Sequence, residues 1–228
     1  MTRDVARVAV VVGGGGAPAV GLDVLGDLGT DPLVIAADSG LTHARDLGLT
    51  VDRVVGDMDS VDPAVLEAAA AAGVVVDRHP EAKDATDLDL ALDAVLAAGP
   101  SRVVVVTGAG DRVDHALAVA LAVSAPRFAV VTVEAWIGAA HLWVVHDSAT
   151  LPGRPGNLVS LLPVHGPAVG VTTDGLLYPL DDEDLLPGST RGVSNEWASD
   201  VATVHVRGGS LIAVAPGVAG THWARTAS

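Results

Sequence analysis

The amino-acid sequence predicts an α/β protein with a mostly parallel sheet covered by helices on both faces, followed by a smaller all-β sandwich domain. Short apolar runs alternate with helical patterns as far as about residue 127, which is typical of a parallel sheet. Beyond that point helical periodicity ends, and short β-rich runs are separated by Gly, Pro and Asp. Half of the 228 residues are hydrophobic and 3% are aromatic, so the core must be built from Val, Leu and Ala.

The strands expected in the first half are largely apolar runs, as in strands that are buried on both faces. Each run ends at a glycine or a polar residue, where the chain is expected to turn. The runs lie at Val8–Val12, Leu33–Ala37 and residues 53–55, 74–76 and 103–106.

Helices are expected between these strands, because apolar residues recur at helical spacing and capping residues mark the ends. Asp62 and Pro63 fit an N-cap and a first helical turn, whereas Gly48, Gly73 and Gly99 fit helix C-termini. The helices are expected over residues 41–47, 64–72 and 114–124, and from Thr86 or Asp87 to Gly99.

The second half is expected to form short strands in a small antiparallel sandwich. Gly208-Gly209 is expected to be the hairpin turn between the last two strands. The strands are expected at residues 128–133, 142–145, 158–162, 168–172, 201–206 and 211–214. The composition change predicts two domains, residues 1–135 and 136–228.

Composition excludes several classes of function. The net charge of −15, from 28 acidic and 13 basic residues, disfavours binding to nucleic acid or anionic lipid. The absence of cysteine excludes disulfides and cysteine-ligated metals. The first residues lack the apolar segment of a signal peptide and no apolar run reaches membrane-spanning length, so a cytoplasmic location is expected.

Acidic residues follow a predicted strand in Gly56-Asp57-Met58-Asp59-Ser60. Alternate residues of an extended segment face the same side, so Asp57 and Asp59 can share one hard cation such as Mg²⁺. A solvated turn leading into the Asp62 cap is the alternative. A second acidic segment, Lys83-Asp84-Ala85-Thr86-Asp87, favours the metal interpretation, although Thr86 with Asp89 also fits a capping box.

Two glycine-rich segments follow other predicted strands. The segment from Gly108 to His115 contains Arg112, which can bind phosphate bidentately, and Asp114, which can cap a helix or position Arg112. The run Gly13-Gly14-Gly15-Gly16 lacks the lysine of a P-loop. Gly14, Gly16 and Ala19 fit a dinucleotide fingerprint, with Asp38 as ribose ligand, so an oxidoreductase remains an alternative. Because parallel strands present their carboxyl ends at one edge of a sheet, these loops are expected to converge there.

The ordered set of motifs resembles the thiamine pyrophosphokinase family. The motifs in the first half are Asp38-Ser39-Gly40, the segment from Gly56 to Ser60, the segment from Lys83 to Asp87 and the segment from Gly108 to His115. Those in the second half are Val159-Ser160-Leu161-Leu162-Pro163, Gly175-Leu176-Leu177-Tyr178-Pro179-Leu180 and Gly192-Val193-Ser194-Asn195-Glu196.

The resemblance implies a homodimer, with its active site at the subunit interface, that transfers a pyrophosphoryl group from ATP to thiamine. Residues 1–135 would then bind nucleotide and catalyse, and residues 136–228 would bind thiamine. It implies Mg²⁺ ligands at Asp57, Asp59 and Asp87. Phosphoryl transfer also needs charge stabilisation, for which Arg112 is the catalytic candidate, and a proton acceptor, for which Asp84 or Asp87 is the candidate. Asp84 is the better base if Asp87 binds metal. The resemblance implies ATP contacts at Asp38, Ser60, Lys83, Thr86, Arg112 and Asp114. It also implies thiamine contacts at Ser194 and Asn195, to which we add Trp197 as a stacking partner. The alternative for Trp197 is that its side chain closes the core of the small sandwich.

The sequence departs from the family pattern at a few positions. Ser39, Leu41 and Thr42 replace small or amide residues after Asp38, Met58 replaces a usual aromatic, and Asp111 stands where glycine is frequent. Alternatives to the implied function are a pyrophosphokinase for another alcohol, such as a pterin carbinol, and a non-catalytic protein that binds thiamine or a nucleotide.

Overall fold

The computed structural model describes residues 7–82, 84–110 and 112–217. The chain divides into two compact units. The first takes in the residues up to Val119 together with residues 130–132 and 136–138. The second takes in residues 120–129, 133–135 and those from Ala139 onward.

Five strands of the first unit form a parallel array. They are β1 (Val8–Val12), β2 (Leu33–Ala37), β3 (Arg53–Gly56), β4 (Val75–Arg78) and β5 (Arg102–Thr107). Their order is β4-β3-β2-β1-β5, and each neighbouring pair runs parallel. The carboxyl ends of β1, β2, β3 and β5 therefore lie at one edge, as the sequence predicts.

The four helices predicted in the first half are confirmed. They are α1 (Gly40–Asp46), α2 (Pro63–Ala71), α3 (Asp87–Ala98) and α4 (Val113–Val123). Asp62 caps α2 through a 2.8 Å hydrogen bond from the Ala64 N–H, and α3 ends at Gly99, whose φ of 65° is left-handed.

Phe128 was expected to begin a strand, and that prediction is wrong. Phe128 is fully buried in a short 3-10 helix, Pro126–Phe128, and the next strand, β6 (Thr132–Ile137), begins four residues later. Pro126 fixes the φ angle of the first helical position and lacks the N–H that a strand ladder needs, so it favours a helical turn.

The second unit is rich in antiparallel strands. They are β7 (Ala140–Val145), β8 (Ser148–Pro152), β9 (Leu158–Asp174), β10 (Glu183–Leu185), β11 (Asn195–Glu196), β12 (Val201–His205) and β13 (Gly208–Ala215). Five of them follow the order β7-β13-β9-β12-β8, while β10 and β11 pair with β9. The sequence pattern predicted neither β8 nor the two short strands β10 and β11.

The two strands predicted at residues 158–162 and 168–172 are one strand, β9. Pro163, Gly166 and Pro167 indicated a break, but the chain passes them through a bulge in which His165 and Gly166 have φ angles of 60° and 141°. The bulge shifts the register against β13 between Gly208 and Ser210. One long strand therefore pairs with β11 before the bulge, with β12 and β10 after it, and with β13 on both sides of it.

The hairpin predicted at Gly208-Gly209 is also wrong. β12 pairs with β8 and β9, whereas β13 pairs with β7 and β9. Both glycines belong to β13, and a Cβ on Gly209 would stand 2.1 Å from the Pro167 carbonyl oxygen. Glycine is needed there for close approach to β9 rather than for a turn.

The coarse fold prediction is confirmed: the protein combines a mixed α/β sheet and helices with a β-rich C-terminal part. The sandwich, helical cover on both sheet faces and the domain boundary at residue 135 stay predictions. None of the helices in the described part of the chain has the length and apolar character needed to cross a bilayer.

Trp197 anchors the core of the second unit, and Gly153 packs against its indole. Trp197 is 1% exposed and donates a 3.1 Å hydrogen bond from Nε1 to the Leu151 carbonyl oxygen. A Cβ on Gly153 would stand 2.2 Å from the indole Cε2. The backbone at residue 153 therefore packs closely against the ring, and a larger residue does not fit without displacing the indole.

We expect Gly153→Ala to destabilise the protein by about 1–3 kcal/mol, the usual result of overpacking a core. Urea unfolding followed by tryptophan fluorescence measures the effect. Gly208→Ala is the matched control, because a Cβ at residue 208 meets nothing within 4 Å. Equal unfolding midpoints for the two variants would contradict this account of the Trp197 core.

Candidate active site

Three loops meet closely where β1, β2 and β5 end. A Cβ on Gly40 would stand 2.1 Å from the Val12 carbonyl oxygen, and a Cβ on Gly108 would stand 2.2 Å from the Gly16 carbonyl oxygen. The Gly15 N–H donates a 3.2 Å hydrogen bond to the Ser39 hydroxyl. Only glycine permits these approaches, which bring backbone amides together at the sheet edge.

Carboxylates gather at the ends of β2 and β3. Asp38, Asp57 and Asp59 each offer an oxygen, and these oxygens lie within 4.8 Å of one another. The Asp59 N–H donates to Asp57 Oδ1 at 3.3 Å, and the Ser60 hydroxyl donates to Asp59 Oδ1 at 2.8 Å. Asp57 and Asp59 thus lie close together, although Met58 between them has a left-handed φ of 67° and the segment is not extended as expected. Asp38, which was expected to contact the nucleotide, lies with them.

Asp87 approaches this carboxylate cluster (Asp38, Asp57 and Asp59) from the first turn of α3. Its carboxylate carbon and Oδ1 lie 3.0 Å from the place where a Cβ on Gly56 would stand, and the Asp38 Cβ lies 3.3 Å from that place. Gly56 has a φ of 148° and makes room for both side chains.

The position of Asp38 perturbs its ionisation. Burial raises the pKa of the Asp38 carboxyl, and the negative charges of Asp87 and Asp59 raise this pKa further. Asp38 Oδ1 is buried and has no hydrogen-bond partner among the described residues. Hydrogen bonds from the Ser39 backbone and the Ser60 side chain lower the pKa of Asp38 in part, but they leave Oδ1 as an acceptor that a cation could bind.

Backbone strain is concentrated beside the carboxylate cluster. Asp38 and Met58 have φ angles of 47° and 67°, in the left-handed region that non-glycine residues rarely adopt. Met58 is 6% exposed, so its side chain packs inside while its neighbours Asp57 and Asp59 turn outward. Such strain persists where the surrounding structure holds it, often at functional sites.

The other predicted residues near α3 are arranged differently. Thr86 caps the helix: its Oγ1 accepts from the Asp89 N–H at 3.2 Å and donates to Asp89 Oδ2 at 2.9 Å. Asp84 is exposed and is not part of the three-residue carboxylate cluster. Lys83 and Asp111 lie outside the described residues.

Arg112 and Asp114 form a two-point ion pair before and within α4. Arg112 Nε donates to Asp114 Oδ1 at 2.9 Å, and Nη2 donates to Oδ2 at 2.6 Å. The guanidinium holds the pKa of Asp114 well below its usual range. Asp114 was expected either to cap the helix or to position Arg112. The structure favours the second role, because the carboxylate binds the guanidinium at two points.

The dinucleotide hypothesis is not supported by the segment after the four glycines. A dinucleotide fingerprint places its glycines directly before a helix whose N-terminus receives the pyrophosphate. Residues 17–21 form no helix, and only the 3-10 helix Leu22–Val24 follows before β2. Asp38 lies with the carboxylates instead.

A cavity of about 450 Å³ lies in the second unit. It is lined by Tyr178 and residues 189–195, and thus by the segment that carries Ser194 and Asn195. Arg191, at its wall, makes a two-point ion pair with Glu183 at 2.8 and 2.9 Å. The charge of Arg191 is therefore balanced beside the cavity.

The three predicted thiamine contacts have different environments. Ser194 is exposed, with a φ of 56°, and its N–H donates to the Ser160 hydroxyl at 3.1 Å. Asn195 is 3% exposed and its amide is engaged by neighbouring backbone. The prediction that Trp197 stacks on a ligand is wrong, because its indole is a core residue of the second unit.

Two features of the site were missed in the sequence. Asp38 lies beside Asp57 and Asp59 because β2 and β3 are neighbouring strands. The sequence feature that could have indicated this is that an aspartate directly follows each of these two apolar strands. Tyr178 and Arg191 line the cavity, but no spacing pattern joins residues so far apart in the chain.

The comparisons with known proteins agree on one family. The model described as "Thiamin pyrophosphokinase, catalytic domain" matches residues 28–132. The model described as "Thiamin pyrophosphokinase, vitamin B1 binding domain" matches residues 148–211. A sequence search of curated proteins gives no match.

Solved structures share the fold. A thiamine pyrophosphokinase from Bacillus subtilis is 24% identical with a TM-score of 0.77, and the match covers 93% of this chain and 100% of that one. One from Geobacillus thermodenitrificans is 24% identical with a TM-score of 0.75, covering 94% and 99%. One from Candida albicans is 13% identical with a TM-score of 0.72, covering 92% and 88%.

The two family models describe successive domains of the same enzyme, lie in the expected order and together match well over half of the chain. The chain therefore belongs to the thiamin pyrophosphokinase family.

Proposed function

We propose that the chain transfers the pyrophosphoryl group of ATP to the hydroxyl oxygen of thiamine, giving thiamine diphosphate and AMP, with Mg²⁺ bound by carboxylates at the strand ends. The observation that carries the proposal is the convergence of Asp38, Asp57 and Asp59 within 4.8 Å. Like charges this close are unfavourable unless a cation lies between them.

The residues present fit a magnesium site. All candidate ligands are carboxylate oxygens, the type that Mg²⁺ prefers. The buried Asp38 Oδ1 has no hydrogen-bond partner within the described part of the chain, so an acceptor is available where a cation would stand. Asp38, Asp57 and Asp59 would hold the ion, with Asp87 beside them. A bound Mg²⁺ would neutralise charge on the phosphates.

The phosphates would also meet Arg112 and the loop amides. The Nε and Nη2 groups of Arg112 face Asp114, which leaves Nη1 to donate toward a phosphate. Ser60, Lys83 and the N-terminus of α3, with Thr86, are further proposed ATP contacts. The glycine loops after β1 and β5 allow backbone amides to approach the nucleotide.

The chemical step requires one proton acceptor. The thiamine hydroxyl oxygen forms a bond to the β-phosphorus, the bond from that phosphorus to the α–β bridging oxygen breaks, and AMP leaves with that oxygen. We assign the hydroxyl proton to Asp84, because it lies outside the three-residue cluster and its carboxylate is exposed. Most of the rate enhancement comes from positioning and charge stabilisation.

The cavity in the second unit suits a cationic heterocycle such as thiamine. Tyr178 offers an aromatic wall, and Ser194 lies exposed at the rim. The ion pair with Glu183 offsets the positive charge of Arg191, which would otherwise repel the thiazolium.

Helix α4 supports the proposal of a homodimer whose active sites lie at the subunit interface. Val113, Leu117 and Leu121 are 72%, 59% and 48% exposed and share one helical face by their spacing of four. An apolar stripe this exposed is unusual on a monomer and favours a protein partner. In the proposed dimer the cavity of one subunit serves the carboxylate cluster of the other.

The activity is tested by incubating the protein with thiamine, ATP and Mg²⁺ and detecting AMP and thiamine diphosphate by mass spectrometry. We expect Asp57→Asn to lower kcat by roughly 100-fold or more, because losing one interaction that stabilises charge in the transition state lowers kcat by about that factor. Asp174→Asn removes one exposed carboxylate of the second unit and should leave turnover unchanged. Ligand binding without AMP would indicate a non-catalytic protein, and full activity in Asp57→Asn would remove the metal argument.

We expect Asp38→Asn to stabilise the protein when no divalent ion is present. The pKa of Asp38 is raised on folding, so stability that is present below the unfolded pKa is lost as pH rises through the folded pKa. At pH 7 the neutral amide should raise the thermal midpoint by about 2–4 °C in EDTA.

The same variant should lose most of the thermal shift that Mg²⁺ gives the unmodified protein, because it lacks one ligand. Thermal melts in EDTA and in Mg²⁺ provide both readouts, with Asp174→Asn as control. A lower midpoint for Asp38→Asn in EDTA would contradict the repulsion argument.

The dimer is tested with Leu117→Glu, which places a charge within the apolar stripe of α4. We expect the apparent mass in light scattering to fall from two chains to one, because a desolvated charge at an interface is strongly unfavourable. Ala118→Glu adds the same charge to the neighbouring exposed position of the helix and should leave the dimer intact. A monomer in the unsubstituted protein would end this proposal.

A further inference from the structure

We propose that Asn195 is a positioning residue, which fixes the Tyr178 wall of the cavity and thereby sets the affinity for the acceptor without contacting it. This inference rests on the proposed function of the cavity as the thiamine site.

The amide of Asn195 makes three hydrogen bonds with backbone groups. Its Oδ1 accepts from the Tyr178 N–H at 3.0 Å and from the Glu196 N–H at 2.8 Å, and its Nδ2 donates to the Tyr178 carbonyl oxygen at 2.7 Å. Both lone pairs of Oδ1 are thus in use. With 3% of its surface exposed, the residue offers almost nothing to a ligand.

The position of Asn195 in the strand network explains this role. Trp197 forms an isolated antiparallel β-bridge with Leu176, and the Glu196 carbonyl oxygen accepts a 2.8 Å hydrogen bond from the Leu177 N–H. The segments around these two pairs therefore run side by side. At the next position the Asn195 backbone pairs with Val159 of β9. Its side-chain amide, which resembles a peptide group, binds the Tyr178 backbone on the other side.

The side chain therefore extends a ladder of hydrogen bonds by one residue. Without it, the N–H and C=O of Tyr178 lose their partners next to Pro179, which has no N–H of its own. Tyr178 is 54% exposed and lines the cavity, so the hydrogen bonds of its backbone are important for holding it in place. Loss of the amide is expected to loosen this wall.

The test compares Asn195→Asp and Asn195→Gln with the unsubstituted enzyme in steady-state assays. The carboxylate keeps the acceptor oxygen but places a second oxygen against the Tyr178 carbonyl, so the donor is lost. We expect the KM for thiamine to rise about 10-fold or more in Asn195→Asp, the effect of losing one net hydrogen bond to a buried group. The kcat and the KM for ATP should stay within about twofold, since the phosphate site is unaffected.

Two controls separate positioning from general damage. Asn157→Asp makes the same chemical change in the same unit at a half-buried residue outside the cavity lining, and should leave all constants unchanged. Asn195→Gln retains donor and acceptor and should recover part of the lost affinity.

A double-substitution cycle with Tyr178→Ala tests the route of the effect. If Asn195 acts through Tyr178, Asn195→Asp should change KM far less once the ring is removed. Full additivity of the two substitutions, a fall in kcat with unchanged KM, or a KM within about twofold in Asn195→Asp would each overturn the proposal.

Hydrogen exchange in the unsubstituted protein gives a measurement that needs no variant. The Tyr178 amide should exchange slowly despite the exposed ring, because Asn195 Oδ1 accepts its hydrogen. Fast exchange at Tyr178 would overturn the proposal even if the variants failed to fold. Absence of AMP and thiamine diphosphate would instead refute the proposed function, while this exchange result would still test the hydrogen bonds.

Discussion

The mutual repulsion of carboxylates held together at the ends of β2 and β3 is the constraint on which the catalytic unit depends. The parallel order places the two strand ends side by side, so Asp38 meets Asp57 and Asp59. The left-handed backbone at Asp38 and Met58, and the absence of a side chain at Gly56, all serve this arrangement. Each of these features weakens the fold locally, and binding a divalent ion is the simplest compensation.

The second unit differs from the first, because the charged side chain at the wall of its cavity is paired with an opposite charge. The indole of Trp197 fills the core beneath Gly153, and Asn195 extends the adjoining ladder to Tyr178. Arg191 lies at the cavity wall, but Glu183 balances its charge. Backbone hydrogen bonds and a neutralised ion pair thus define the proposed acceptor site, whereas unneutralised carboxylates define the proposed metal site.

Local patterns in the sequence predicted most of the first unit. Apolar runs gave its five strands, and Asp62, Thr86 and Gly99 marked helix ends by the hydrogen bonds they make or allow. The proximity of Asp57 and Asp59 could also be predicted, because the two residues are close in the sequence. The position of Asp38 beside them could not, because it depends on β2 lying next to β3, which spacing along the chain does not determine.

The second unit was predicted less well because its structure depends on distant pairing. The bulge in β9 and the close approach of Gly209 to Pro167 are set by neighbouring strands rather than by local propensity. The same holds for Trp197 and Asn195, which share a polar segment yet are buried by contacts with Leu151 and Tyr178. Both residues were expected to contact thiamine, but their side chains satisfy backbone groups of the second unit.

The charge balance explains why a divalent ion, rather than arginine alone, suits the proposed phosphate site. The chain has 28 acidic and 13 basic residues, so a polyphosphate approaches an unfavourable field. Arg112 offers limited relief because Asp114 already takes two of its donors, which fixes its direction but offsets its charge. Carboxylates that repel a free polyphosphate can bind it through open coordination positions of a Mg²⁺ ion that they hold, so the same residues can exclude bare phosphates and admit metal-bound nucleotide.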